Sequence, residues 1–204
     1  MHAGATPSWV IRENASHPVL VALYLREVLA IASSVELPRV RGLAPAGTTR
    51  LPTDRQDALE RQWRAWWAMT VEPEAHPSTV PLELVAEYGT EVALPTTGAE
   101  ALRQAIRPHA EAAIRWADHT QGQYSAAANG RHADSYRAYA GTIAEHEREV
   151  GRRAHSFELN VEVVPLQVRG VWWIGSMTIA VTDTLRADPA AFDDAIHPII
   201  AELA

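Results

Sequence analysis

Phe157, Leu159, Val161 and Val163 alternate with Glu158, Asn160 and Glu162. Successive side chains on a strand point to opposite faces, so this run predicts a strand with one buried and one polar face. Arg169 and Gly170 read as the turn that follows, and the β-branched, aromatic stretch 171–183 as a longer second strand. Together they predict a β-hairpin over 156–183. Trp172 and Trp173 are neighbours on it and must face opposite ways, so one of them needs a second cover. A short strand is also expected at 8–12, with Trp9 and Ile11 on one face.

Elsewhere the apolar period is helical. Asn14 or Ser16 should cap a helix that carries Pro18 in its first turn, where a missing N–H costs little. That helix is apolar almost all round, which predicts a central position packed on several sides. Thr53 with Gln56 spells a capping box, after which Leu59, Trp63, Trp66, Trp67 and Thr70 recur on one face. Thr97 with Glu100 spells a second, opening an Ala-rich helical region that Pro108 should kink or split. A further helix is expected over about 133–153, burying Tyr136, Ala140, Ile143 and Val150. Asp188-Pro189 should start the last helix, with Phe192, Ile196, Ile199, Ile200 and Leu203 inward. The stretches near 38–52 and 71–81 are rich in Pro and without period, so they read as connections; 81–94 reads as a short helix or a strand. The pattern as a whole predicts α+β: one domain over 1–204, with several helices on a small, mostly antiparallel sheet built around the C-terminal hairpin and followed by a terminal helix.

Composition narrows the chemistry. All 18 positive charges are Arg, and Lys and Cys are absent from the 204 residues. This excludes a Schiff-base lysine, a P-loop lysine, a thiolate nucleophile, cysteine-ligated zinc or iron–sulfur clusters, and disulfides. Arg keeps its charge at working pH and makes forked hydrogen bonds, so it suits fixed pairing better than proton transfer. Net charge is −7, against generic binding of nucleic acid. The most apolar stretch, 19–31, contains Arg26 and Glu27 and is too short to span a membrane. The N-terminal residues have no signal-peptide pattern, and cytoplasm is the expected compartment.

Several motifs also have plainer readings. LPTTG at 94–98 matches a sortase signal, but an amphipathic helix follows it where an apolar span and basic tail are needed, so the letters read as a helix cap. Ser176 lies in Gly-Ser-Met within a strand, without the strand-to-helix elbow of a serine hydrolase. The ligand candidates are His109, Glu111, His119, His132, His146 and Glu149, of which His146 and Glu149 share a helix face. Paired Glu-x-x-His motifs and HExxH are missing, so neither a metal nor a cofactor is expected. Trp63, Arg64, Trp66, Trp67 and Trp172 are the interface candidates, because large rings beside Arg are enriched at hot spots. The function expected first is therefore a non-catalytic interaction or assembly protein, with a protein partner or a second copy and no nucleic acid or membrane. The alternative is a small-molecule-binding or hydrolytic enzyme using His and carboxylate groups of the helical region.

Overall fold

The computed structural model describes residues 9–32, 37–47, 52–85, 92–129 and 132–204, with the side chains of 129 and 132–136 left aside. In chain order its elements are β1 (Trp9–Asn14), α1 (His17–Val28), α2 (Thr53–Val71), β2 (Leu82–Leu84), β3 (Ala93–Pro95), α3 (Glu100–Ile106), α4 (Ala110–Asn129), α5 (His132–Val150), β4 (Phe157–Val164), β5 (Val171–Trp173), β6 (Thr178–Thr182), α6 (Asp183–Arg186) and α7 (Pro189–Leu203). The class is α+β, as the periodicity implied. The sheet order is β1-β4-β6-β5, with β1, β4 and β6 parallel and β5 antiparallel to β6.

The alternation in β4 divides the core as predicted. Phe157, Leu159, Val161 and Val163 join Ile179 and Val181 beneath Tyr139 and Ile143 of α5 and Phe192, Ile196 and Ile200 of α7. On the opposite face Val164, Ala180 and Trp172 meet α1, α2, α3 and α4. Helix α1 is buried nearly all round, with Leu20, Val21, Ala22, Leu23 and Leu25 fully inaccessible, and it packs on both α2 and α4.

Within the class, strand pairing differs from the simple hairpin. Pro165 follows β4 and cannot extend the ladder, and Leu166, 1% exposed, turns into the α1 side of the core. There Arg41 N–H donates to Pro165 O and Gln167 N–H to Arg39 O, both at 2.8 Å. The chain therefore re-enters the sheet at its edge. The 171–183 run is two strands, folded back at Gly175-Ser176, and Asp183 already belongs to α6. The true hairpin is β5–β6, and β4 lies beside β6 in parallel.

Both expected capping boxes fail. Pro52 occupies the N-cap of α2, with its carbonyl accepting from Arg55 N–H and Gln56 N–H. Ala99 occupies that of α3, while Glu100 accepts from Gly98 N–H at 2.8 Å. Pro108 splits α3 from α4 as anticipated. The described part of 81–94 is strand, paired antiparallel, and Arg103 of α3 donates to Leu94 O and Pro95 O to hold it. Val150, expected inside, is 45% exposed; Tyr136 lies outside the described side chains. Among the described residues no helix is long and apolar enough to cross a membrane.

Candidate functional site at the carboxyl ends of the parallel strands

The aromatic stripe of α2 is core rather than surface. Trp63, Trp66 and Trp67 are 1%, 6% and 3% exposed. Trp63 stacks on Trp67 with centroids 5.2 Å apart and donates Nε1–H to Ala22 O. Arg64, on the outer face, is exposed. Trp172 is half-buried against the α1 side of the core, and its ring covers Gly170 so closely that a Cβ there would lie 2.9 Å away. Its neighbour Trp173 points the other way and is 36% exposed. As a correction to the interface reading, three of its five candidates offer no accessible indole. Helical spacing cannot tell a stripe that faces a partner from one that faces the chain's own core.

Among the described residues the ligand candidates do not converge. Glu111 is exposed and pairs with Arg115 one turn along α4, His119 is exposed on the same helix, and His109 is half-buried at its start. His146 is buried in α5, whereas Glu149, the residue meant to share a metal with it, pairs instead with His197 at 3.4 Å. His132 opens α5, and its side chain lies outside the described set. Among the described residues no three His, Asp or Glu side chains gather as a metal site.

Polar chemistry gathers instead where β1, β4 and β6 end. Glu13, the penultimate residue of β1, faces the α5–α7 side and accepts from Arg186 Nε–H at 2.7 Å. The same carboxylate accepts from Tyr139 O–H at 2.8 Å and Tyr124 O–H at 3.3 Å. Arg186 and Glu13 side chains are 5% and 13% exposed, so this is a buried pair. The Arg186 guanidinium also lies 4.4 Å from the Phe192 ring centroid, and Phe192 meets Tyr139 edge-on at 5.5 Å. Burial, reinforced by the Glu13 carboxylate, pushes the Tyr139 phenol well above its ordinary value. A carboxylate that accepts from three donors fixes their geometry. The network ties β1, α4, α5 and α6 together.

On the other face Glu162 accepts from Ser16 N–H at 2.8 Å, so a strand carboxylate sits at the N-terminus of α1, where the helix dipole favours negative charge. Burial raises its carboxyl above the ordinary range despite the Ser16 hydrogen bonds.

Beside the Glu13 network lies a cavity of about 280 Å³. Thr120, Gln123, Tyr124 and Ala127 of α4 form one wall, Val163 and Pro165 the floor, and Asp183, Thr184 and Ala187 the other wall. The chain leaves β1 for α1 on one face of the sheet and leaves β6 for α7 on the other. Crevices at carboxyl ends of parallel strands, where connections part to opposite faces, are the usual ligand sites of such sheets. Asp183 is paired with Arg41 at 2.5 Å, and its Oδ1 accepts from Thr184 N–H. Tyr124 belongs both to the cavity lining and to the Glu13 network.

Two larger depressions are more open in character. One, of about 870 Å³, lies over the uncovered amino-terminal half of the sheet and includes Arg12, Glu158, Asn160, Glu72 and Ser176. There Arg12 and Glu158 are ion-paired, with both side chains more than half exposed. Glu72 accepts from Ser176 O–H at 3.0 Å and Met177 N–H at 2.9 Å, which closes the β5–β6 turn. Ser176 thus donates its hydroxyl to the carboxylate that holds the turn. The other depression, about 510 Å³, lies between α5 and α7 and is lined by Asp193, Asp194, Glu145, Arg137 and His197.

No family model matches the chain, and neither a curated protein nor a solved structure matches it significantly. Sequence reasoning missed Glu13, Tyr124, Tyr139 and Arg186. Glu13 and Arg186 stand 173 positions apart, and no local pattern marks either.

Proposed function

We propose that this protein binds a small molecule in the cavity between α4 and α6. The observation that carries the reading is the placement of a walled, partly apolar pocket at the carboxyl ends of three parallel strands, backed by a fixed polar network. At about 280 Å³ it stands near the lower end of the range for ligand pockets, ~300–1,000 Å³. Binding is favoured over turnover, because among the described residues no histidine lines the cavity and Thr120 donates its hydroxyl to Trp116 O. This takes the ligand-binding half of the alternative drawn from sequence, with α4 supplying four of the lining residues but a different set of side chains. In the same proposal the protein works in the cytoplasm, in keeping with its lack of cysteine.

Replacing the exposed Ala127 by Trp should fill the pocket without entering the core. A ligand present at 100 times its Kd should raise stability by about 2.7 kcal/mol, roughly 5–10 °C in Tm for a domain of this size. A thermal-shift screen of small polar aromatics should yield such hits with the parent protein and lose them with Ala127→Trp. Hits that persist unchanged in the variant would place binding elsewhere.

A second reading rests on Trp173. It is exposed on an edge strand whose turn is held rigid by Glu72, so it could dock a protein partner or a second copy at little entropic cost. Sedimentation of the parent and of Trp173→Ala tests this: association that weakens in the variant supports it, and monomer at all concentrations removes it.

A further inference from the structure

The four-stranded sheet has two edges, β1 and β5, and they are guarded differently. Exposed charge discourages an edge strand from pairing with another chain. β1 carries such a charge in Arg12, whereas β5 is Val171-Trp172-Trp173, with no charge at all. The direction of its backbone groups follows from the bonds to β6. Thr182 N–H donates to Gly170 O at 3.1 Å and Ile174 N–H to Thr178 O at 2.9 Å, in register with Trp172 opposite Ala180. Residues 170, 172 and 174 therefore turn their backbone groups toward β6. The N–H and C=O of Val171 and Trp173 point the other way, where among the described residues no further strand pairs with β5.

We infer that this edge pairs with β5 of a second copy, antiparallel about Trp172, to make one sheet that runs through both copies. The inference rests on the reading of Trp173 as a docking residue. An identical strand fits because the outward groups stand symmetrically around Trp172. Turned about a two-fold axis, Val171 of each copy exchanges both backbone hydrogen bonds with Trp173 of the other. The same register sets the 36%-exposed Trp173 ring beside Val171, an aromatic–β-branched pair of the kind that stabilises sheets. The two Trp172 residues meet at the axis, and each ring stays clear by folding back over its own strand, where it covers Gly170. Charge agrees too. Two residues beyond Val171, the half-exposed Arg169 falls opposite Gly175 of the second copy. The Glu72 carboxylate rests against that glycine, so close that a Cβ there would lie 2.5 Å from Glu72 Cδ. Each end of the pairing thus carries an arginine from one copy and a carboxylate from the other.

So short an edge buries little area, which sets the dimer Kd on the order of 100 µM. Sedimentation and amide hydrogen exchange test it together. Between about 20 µM and about 1 mM protein, exchange at the Val171 and Trp173 amides should slow roughly fourfold, while the Trp172 amide is protected throughout. Trp173→Lys places a charge on the edge, and Val171→Pro removes only an outward N–H. Each should weaken association at least about tenfold while Trp172 keeps its protection. If Val171→Pro does not fold, Trp173→Lys carries the test alone, because that side chain is exposed. Association that leaves the Val171 and Trp173 amides unprotected overturns the edge pairing; if Trp173→Ala still weakens it, docking through Trp173 stands. A monomer at every concentration overturns the edge pairing and the docking of a second copy together.

Discussion

Replacing Glu13 by Leu should be among the most damaging single changes in this protein, and a second change should rescue much of it. The Glu13 carboxylate receives Arg186, Tyr139 and Tyr124, and the Arg186 side chain is 5% exposed. Without Glu13 the buried guanidinium loses the carboxylate 2.7 Å from its Nε, and the Tyr139 hydroxyl loses its acceptor. Breaking a buried pair costs about 3–5 kcal/mol, and the orphaned phenol adds roughly 1 kcal/mol more. A loss near 5 kcal/mol is a large part of the ~5–15 kcal/mol that holds a typical domain together. With a urea m-value of about 2 kcal/mol/M, the midpoint should fall by about 2.5 M. Arg186→Met should cost a similar amount, because it strands the carboxylate. The double variant should lose only about 1–3 kcal/mol, since both charges then leave the interior together and what remains is the loss of the Tyr139 hydroxyl's carboxylate acceptor. Urea unfolding of the four proteins closes the cycle. Strictly additive single losses, or a Glu13→Leu loss below 1 kcal/mol, would refute the claim that this network is a coupled unit.

Further outcomes follow from other parts of the fold. Glu162→Gln should stabilise the protein at pH 7: the folded carboxyl is raised by burial, so the stability it permits is full below the unfolded pKa and is lost as pH rises through the folded one. Urea midpoints from pH 4 to 8 should therefore diverge upward for the variant, and parallel curves would contradict the burial argument. Glu72→Ala should cost about 1–3 kcal/mol and speed amide exchange at Met177, because the carboxylate closes the β5–β6 turn. The hydrogen bonds from Met177 and Ser176 outweigh burial and lower the Glu72 carboxyl, so the parent's share of that stability should fade as pH drops through the lowered folded pKa, and the variant should show no such loss. Trp67→Ala should cost about 3–5 kcal/mol of folding stability with no change in sedimentation, since that ring is 3% exposed; a stable variant with altered association would restore the interface reading.

The periodic parts of the fold were readable, and the paired parts were not. Alternation at 157–163 located β4 and its buried face, and the uniformly apolar 19–31 stretch announced a central helix. Pairing direction has no such local signature. It turned on Pro165 and on Leu166 being drawn into the core, which sends the chain to the sheet edge before it returns. The capping boxes failed for a related reason: Thr and Glu at the right spacing offer a cap, but Pro52 placed the start of α2 one residue earlier and left Thr53 inside the first turn. Arginine was read correctly as a residue for fixed pairing, and Arg26, Arg103 and Arg186 all act that way. Arg26 joins Glu27 and donates to Leu37 O and Pro38 O, giving the irregular connection after α1 a rigid anchor. The candidate site stayed hidden because its parts come from β1, α4, α5 and α6. Each of Glu13, Tyr124 and Tyr139 is ordinary within its own segment and becomes informative only when folding brings them together.

Amide chemical-shift mapping of isotope-labelled protein during a benzyl alcohol titration tests the central claim most directly. The account predicts saturable shifts concentrated at Gln123, Tyr124, Ala127, Thr184 and Ala187, the two walls of the cavity, and their loss in Ala127→Trp. Shifts clustered instead at Arg12, Glu158, Asn160 and Met177 would move the site to the open depression on the other half of the sheet. That result would contradict the assignment of ligand binding to the strand ends.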